Sequence, residues 1–258
     1  MKTHVLTFFV VQVVYLSVCN APAQSISFNF APFQNVDAQS SFFSGTPPVV
    51  VDEWNNPFDL STNGLTSGSS ALPNPGFGAS ASSSFIANHT FNTTSWNLSG
   101  GTTSTINAGS GNPAAISAAS GIGASFQFSV DSPFSLSLQS SIAGQFVGND
   151  SSALIFAGGS TRLFAVALDG VFINQDLANW QTGAGSTGGT FNGSWSSGVF
   201  LLEFSAGSIL QSNMPNVFGT ATGSYDLQLS VSPIPEPSGA LLALLGGGWF
   251  LALRRRRA

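Results

Sequence analysis

Residues 24–232 predict an all-β domain, a β-sandwich or jelly roll, on three observations. Apolar residues recur at every second position in several stretches, as at Ile26, Phe28 and Phe30, which implies one buried face and one wet face. Clusters of Gly, Ser, Asn and Pro, the residues of turns, separate these stretches at intervals of about ten residues. Helical periodicity is scarce between them, and many short strands without helices indicate a sandwich or jelly roll.

The elements follow in chain order. Residues 1–23 read as a signal peptide, with Lys2 near the start and an apolar stretch over 5–18 broken only by Thr7, Gln12 and Ser17. Ala21-Pro22-Ala23 supplies a small-residue cleavage site with Ala21 and Ala23, making Gln24 the first mature residue. Leu16-Ser17-Val18 before Cys19 partly resembles a lipoprotein signal, from which Val18 departs, so Cys19 is either lipidated or leaves with the signal peptide. In the second case no thiol remains downstream and stability must come from packing or bound ions.

Period two returns at Phe126, Phe128 and Val130, at Phe134, Leu136 and Leu138, and at Tyr225, Leu227, Leu229 and Val231. The denser runs 163–168 and 199–204 predict central strands covered on both sides. Stretches 66–70, 100–111 and 182–189 read as loops, and 61–84, poor in bulky residues, as one long loop. Phenylalanines, among them Phe85, Phe91, Phe146, Phe156, Phe164, Phe172, Phe191, Phe200 and Phe218, are expected to fill the core. Full burial of each contributes about 1.5–3 kcal/mol.

Charge narrows the partners. In residues 24–232 Arg162 is the one basic residue, against Asp37, Asp52, Glu53, Asp59, Asp131, Asp150, Asp169, Asp176, Glu203 and Asp226. A surface of that sign repels phosphate backbones, which excludes nucleic acid and leaves divalent cations and neutral polysaccharides.

Among candidate sites, Trp54, Trp96, Trp180 and Trp195 offer indoles that can stack on sugar rings. Trp180 and Trp195, on either side of a Gly-rich stretch, are the pair expected to bind glycan if the domain is a carbohydrate-binding module. Asp52 and Glu53, with Glu203 or Asp169, are the carboxylates available to a glycan hydrolase. His89 stands in a polar Asn/Thr stretch with no acid nearby to orient it as a base, so no catalytic residue is assigned and the chain is expected not to be an enzyme. No cofactor is expected. Ca2+ has oxygen donors at Asn149-Asp150, Asp169-Gly170 and Asn174-Gln175-Asp176, although none forms an EF-hand pattern. Sequons begin at Asn88, Asn92, Asn97, Asn149 and Asn192 and are read as Asn/Thr-rich strands and loops.

Residues 233–258 carry the most specific signal. Pro235-Glu236-Pro237 is followed by fifteen uncharged residues over 239–253 and then by Arg254, Arg255, Arg256 and Arg257. As a helix that run extends about 22 Å. A hydrocarbon core of about 30 Å asks for more, so the span suits a temporary anchor held by snorkelling arginines. Arginines on one flank favour a cytoplasmic C-terminus. Pro-Glu-Pro cannot continue a helix and stays extended outside the bilayer. The three features in this order closely resemble the PEP-CTERM sorting domain of exported bacterial proteins. That resemblance covers about a tenth of the chain. It implies passage through the secretion machinery, transient inner-membrane anchoring by a short transmembrane helix, and recognition by exosortase, a membrane-embedded cysteine transpeptidase. Cleavage near Pro235, Glu236 and Pro237 and release to the cell surface or exopolysaccharide matrix then follow. The expected function is structural or adhesive within exopolysaccharide, with a carbohydrate-binding module as the alternative and a glycan-active hydrolase after it.

Overall fold

Side chains that alternate inward and outward produce two antiparallel sheets in the computed structural model, which describes residues 26–43, 50–57, 63–74, 79–109, 115–149 and 154–234. Side chains of 26–43, 50–57, 73–74 and 115 are outside that description. So are the residues expected to form a signal peptide, and those beyond Ile234 expected to form a sorting segment. Twelve strands and no helix occur among the described residues: β1 (Ile26–Phe43), β2 (Val50–Pro57), β3 (Gly64–Asn74), β4 (Ala79–Phe91), β5 (Ser95–Ala108), β6 (Ala115–Val130), β7 (Phe134–Gly148), β8 (Leu154–Leu168), β9 (Val171–Thr182), β10 (Gly185–Trp195), β11 (Gly198–Ser212) and β12 (Phe218–Pro233). Residues Ile26–Ser232 make one compact unit.

Sheet A has the order β2-β1-β6-β11-β8-β9, and sheet B, taken from the same side, β3-β4-β5-β12-β7-β10. Their faces meet so that β2 lies near β3, β1 near β4, β6 near β5, β8 near β7 and β9 near β10. Phe204 of β11 meets Tyr225 of β12 with ring centroids 5.4 Å apart. The chain therefore often passes from one sheet to the other at the same position, as in β5 to β6, β7 to β8 and β9 to β10. In-sheet hairpins join β1 to β2, β3 to β4, β4 to β5 and β8 to β9.

The interior holds two apolar clusters. One is aromatic and includes Trp96, Phe126, Phe128, Phe134 and Phe200; the other is small-sided, with Ala81, Ile106, Ala118, Ala157, Leu210 and Ala221. A waist of small polar residues separates them. Ser83 faces Ser104 across β4 and β5, and Ser120 faces Ser208 across β6 and β11. The two sheets bond directly there: Ser104 Oγ donates to the Ser208 carbonyl at 2.8 Å, and Ser120 Oγ to the Thr103 carbonyl at 3.2 Å. The buried hydroxyls of Ser104, Ser120 and Ser208 are tolerated because they bond one another and main-chain carbonyls. Glycine makes the close approach feasible. A Cβ on Gly223 would stand 2.8 Å from Thr102 Oγ1 and 3.2 Å from the Gly207 carbonyl of the other sheet.

Several sequence expectations change. Stretches 66–70 and 100–108 are strand, within β3 and β5, and 185–189 opens β10. Residues 61–84 hold β3 and the start of β4 rather than one loop. Many inward positions in these strands are small, as at Ser70, Ala79, Ala81, Ser83, Ser104 and Ala108, so composition resembles loop while the ladder continues. Runs 163–168 and 199–204 are strands of sheet A, yet they are not covered on both sides: Phe164, Leu201 and Glu203 face outward, half-buried. Phe172 and Phe218 are 71% and 56% exposed and lie outside the core, because each falls at an outward or turn-proximal position.

Candidate functional site

The tryptophans divide by position. Trp96 is fully buried on β5, edge-on to Phe126 with centroids 4.8 Å apart, and its Nε1–H has no acceptor. That indole is core. Trp54 lies on β2 opposite Ala38, with its side chain outside the description. Trp180 and Trp195 are half-buried and packed against the aromatic cluster. Trp195 stacks on Phe191 at 6.2 Å and meets Phe134 and Phe200 at 5.7 and 5.5 Å. The Gly-rich stretch between them is β10 rather than a loop, and its glycines receive the two rings. A Cβ on Gly189 would lie 2.8 Å from Trp180 Nε1, and one on Gly193 would meet the Trp195 ring. Both indoles close the interior at the β9/β10 edge.

Two carboxylates meet at one cation. Glu203 on β11 and Asp176 on β9 both hold Arg162, at 3.3 Å to its Nη1 and 2.6 Å to its Nε. The guanidinium also lies 4.9 Å over the Phe164 ring, which places the one cation of residues 24–232 among two carboxylates and a ring on the outer face of sheet A. Asp169 sits seven positions beyond Arg162 on the chain, and at about 3.3 Å per residue it is about 20 Å from Glu203. Glycosidase carboxylates stand about 5–9.5 Å apart, and the pairs expected from the sequence join Asp52 or Glu53 to Glu203 or Asp169, not these two to each other. His89 is buried on the inward face of β4. The side chains of Asp52 and Glu53 lie outside the description.

Asp169 has a structural task. At φ 52° in the β8–β9 turn, its Oδ1 accepts from Ser196 N at 2.6 Å, Ser196 Oγ at 2.7 Å and Ser197 N at 3.3 Å. It thereby ties the β8–β9 turn to the β10–β11 turn. The Ser196 hydroxyl first, then the backbone amides of Ser196 and Ser197, hold its carboxyl below the ordinary value of 3.8. A depressed folded pKa means that the tie contributes stability above the unfolded value and loses it as pH falls through the folded one. The urea midpoint of Asp169→Ala should therefore trail the parent at pH 7, with the gap closing as pH drops below 3.8. A gap independent of pH would contradict this.

The other oxygen-rich segments are similarly engaged. Asn149 Nδ2 donates to the Asn216 carbonyl at 2.9 Å while its Oδ1 accepts from Phe218 N at 2.9 Å. Asp176 is bound to Arg162, and Asp150 lies outside the described residues. Among the described residues no three of His, Cys, Asp and Glu come together as a metal site. The sequon asparagines are strand and turn residues: Asn92 Oδ1 caps the β4–β5 turn through Thr94 N at 2.9 Å and Ser95 N at 2.8 Å.

What the sequence reading missed is the outer face of sheet B. Outward positions run Ser80, Ser82 and Ser84 on β4, Thr103 and Thr105 on β5, Thr220 and Thr222 on β12, and Ser137, Gln139 and Ser141 on β7. Asp226 is the single charge on that face among the described residues. Cross-strand contacts order it, as between Thr105 and Thr220 hydroxyls at 3.1 Å and from Asn97 Nδ2 to Thr90 Oγ1 at 3.1 Å. Shallow depressions of about 440, 260 and 440 Å3 follow β7 between β10 and β12, lined mainly by Ser, Thr, Gly, Asn and Gln. The available signal was Ser and Thr at alternate positions, hidden because the intervening residues are also small.

No family model and no curated protein matches the chain. A match among solved structures, to the structure of infectious bursal disease virus Gx strain, has 10% identity and covers 92% of this chain and 75% of that chain. Its TM-score is 0.13, and a likeness of that size carries no argument.

Proposed function

We propose that this chain is an exported protein of the cell surface or extracellular matrix, delivered through exosortase processing of its tail, with a structural or adhesive part in exopolysaccharide. The observation that carries the reading is the ordered set of Pro235-Glu236-Pro237, the uncharged span 239–253 and Arg254 to Arg257. The fold is compatible with that destination. A broad face of hydroxyls and amides with Asp226 as its single charge among the described residues suits contact with neutral polysaccharide, whose recognition is by hydrogen bonds rather than ion pairs. Exchange of main-chain and serine hydrogen bonds between sheets needs no disulfide, in keeping with a chain whose single cysteine is Cys19.

The test is intact mass of the protein recovered from the surface and medium of its own host. A species beginning near Gln24 and ending within Pro235 to Pro237 is expected. Glu236→Ala, or removal of Arg254 to Arg257, should leave an unprocessed precursor in the membrane fraction. Normal processing of both variants, or a surface species that keeps the four arginines, would overturn the sorting reading.

A further inference from the structure

Among the described residues four strands lie at sheet edges: β2 and β9 in sheet A, β3 and β10 in sheet B. An edge strand presents unpaired main-chain N–H and C=O groups, and folded proteins guard such rows with charge, proline or bulges. β2 carries Asp52, Glu53 and Pro57. β9 carries Asp176, a positive φ at Asn174 and two register shifts against β8. β3 contains Pro73, which has no N–H to offer. β10 carries no charge, no proline and no register shift, and its positive φ values fall at glycines, 86° at Gly185 and 151° at Gly188. Its eleven residues pair with β7 from Gly185 opposite Gly144 to Trp195 opposite Phe134. On the inner side Trp180 and Trp195 seal the apolar interior over Gly189 and Gly193. What β10 presents beyond that seal is main chain, flanked by exposed Ser186, Thr190, Asn192 and Ser194.

We propose that β10 is a self-association edge. Two copies pair β10 with β10 in antiparallel fashion about a two-fold axis normal to sheet B, joining their six-stranded sheets edge to edge. That axis reverses strand direction, as antiparallel pairing requires. An isologous contact sets the same surface against itself, so a charge near the axis meets its own sign. β10 carries no charge and escapes that repulsion, whereas β2 would bring Asp52 and Glu53 against their counterparts. The inference stands independently of the export route.

Cys19 is the only cysteine, so the full chain with Cys19→Ser is a thiol-free background. Single cysteines at Ser186, Thr190, Asn192 and Ser194, and at exposed Ser67 of β3 as reference, are oxidised in the purified full chain in detergent and read on non-reducing gels. Disulfides need Cβ atoms about 3.5–4.5 Å apart, which partners beside the axis satisfy. The expected result is a majority of linked dimer at one or two β10 positions and little at Ser67. In the untreated chain, Thr190→Lys with Asn192→Lys should convert dimer to monomer by light scattering, with an unchanged far-ultraviolet circular dichroism spectrum and a melting temperature that no longer depends on protein concentration. Absence of linkage at every β10 position, equal linkage at Ser67, or a dimer that survives both lysines would overturn the proposal.

Discussion

Replacing Phe200 by alanine should destabilise the sandwich by about 3–5 kcal/mol, among the largest losses available to a single truncation. Phe200 is fully buried on β11, stacked on Phe128 at 5.0 Å, edge-on to Phe134 at 5.7 Å and against Trp195 at 5.5 Å. Its removal leaves a void among rings that come from both sheets, which backbone pairing on either side keeps from collapsing. At about 2–4 °C per kcal/mol for a domain of this size, the melting temperature should fall by about 6–20 °C. Phe172→Ala is the internal reference. Phe172 is 71% exposed beside the β8–β9 turn, and its truncation should stay within about 0.5 kcal/mol. Equal losses for the two would mean that the aromatic cluster is not the packed centre of the fold.

That contrast marks how far the fold is legible before the structure is seen. Both phenylalanines stand in apolar surroundings, and composition cannot say that one falls on an inward position and the other beside a turn. Strands with large alternating residues, such as β6 with Phe126, Phe128 and Val130, are readable because period two survives in side-chain size. β3, β4 and β5 are harder. In β4 the inward Ala79, Ala81 and Ser83 differ little from the outward Ser80, Ser82 and Ser84, so alternation of environment leaves no alternation of hydropathy. Inward serines are normally disfavoured, and Ser104, Ser120, Ser140 and Ser208 are held by bonds to the facing sheet. Such pairings are not local properties.

Sites were less legible for the same reason. Trp180, Gly189, Gly193 and Trp195 read locally as two indoles around a flexible stretch, whereas period-two spacing on one strand turns the glycines into seats for the rings. Glu203 reads as an unattached carboxylate until β8 and β9 bring Arg162 and Asp176 beside it. Arg162 has a counter-ion on each flanking strand because sheet A orders β11, β8 and β9 together.

Gly144→Val tests the feature that separates this sandwich from one held apart by large side chains throughout. Sheets packed through ordinary apolar faces lie about 10 Å apart. At Gly144 of β7 there is no room for even a methyl: an added Cβ would run into the carbonyl of Ala157 on β8 and lie 3.0 Å from its Cβ. The obstacle is backbone in the facing sheet, held by the β8–β11 ladder and by a bond from Ala157 N to the Gly183 carbonyl at 3.2 Å. It cannot rotate aside as a side-chain tip would. Valine should therefore force the two sheets apart and cost about 3 kcal/mol or more, at or beyond the upper end for overpacking. Gly123→Ala provides the opposite case, since nothing lies within 4 Å of its added Cβ on the outer face of β6. There alanine restricts the unfolded chain without a clash and should stabilise by about 0.4–1 kcal/mol. Urea unfolding of the two variants beside the parent separates the cases: a Gly144→Val protein that melts with the parent would show that the sheets do not meet at this point.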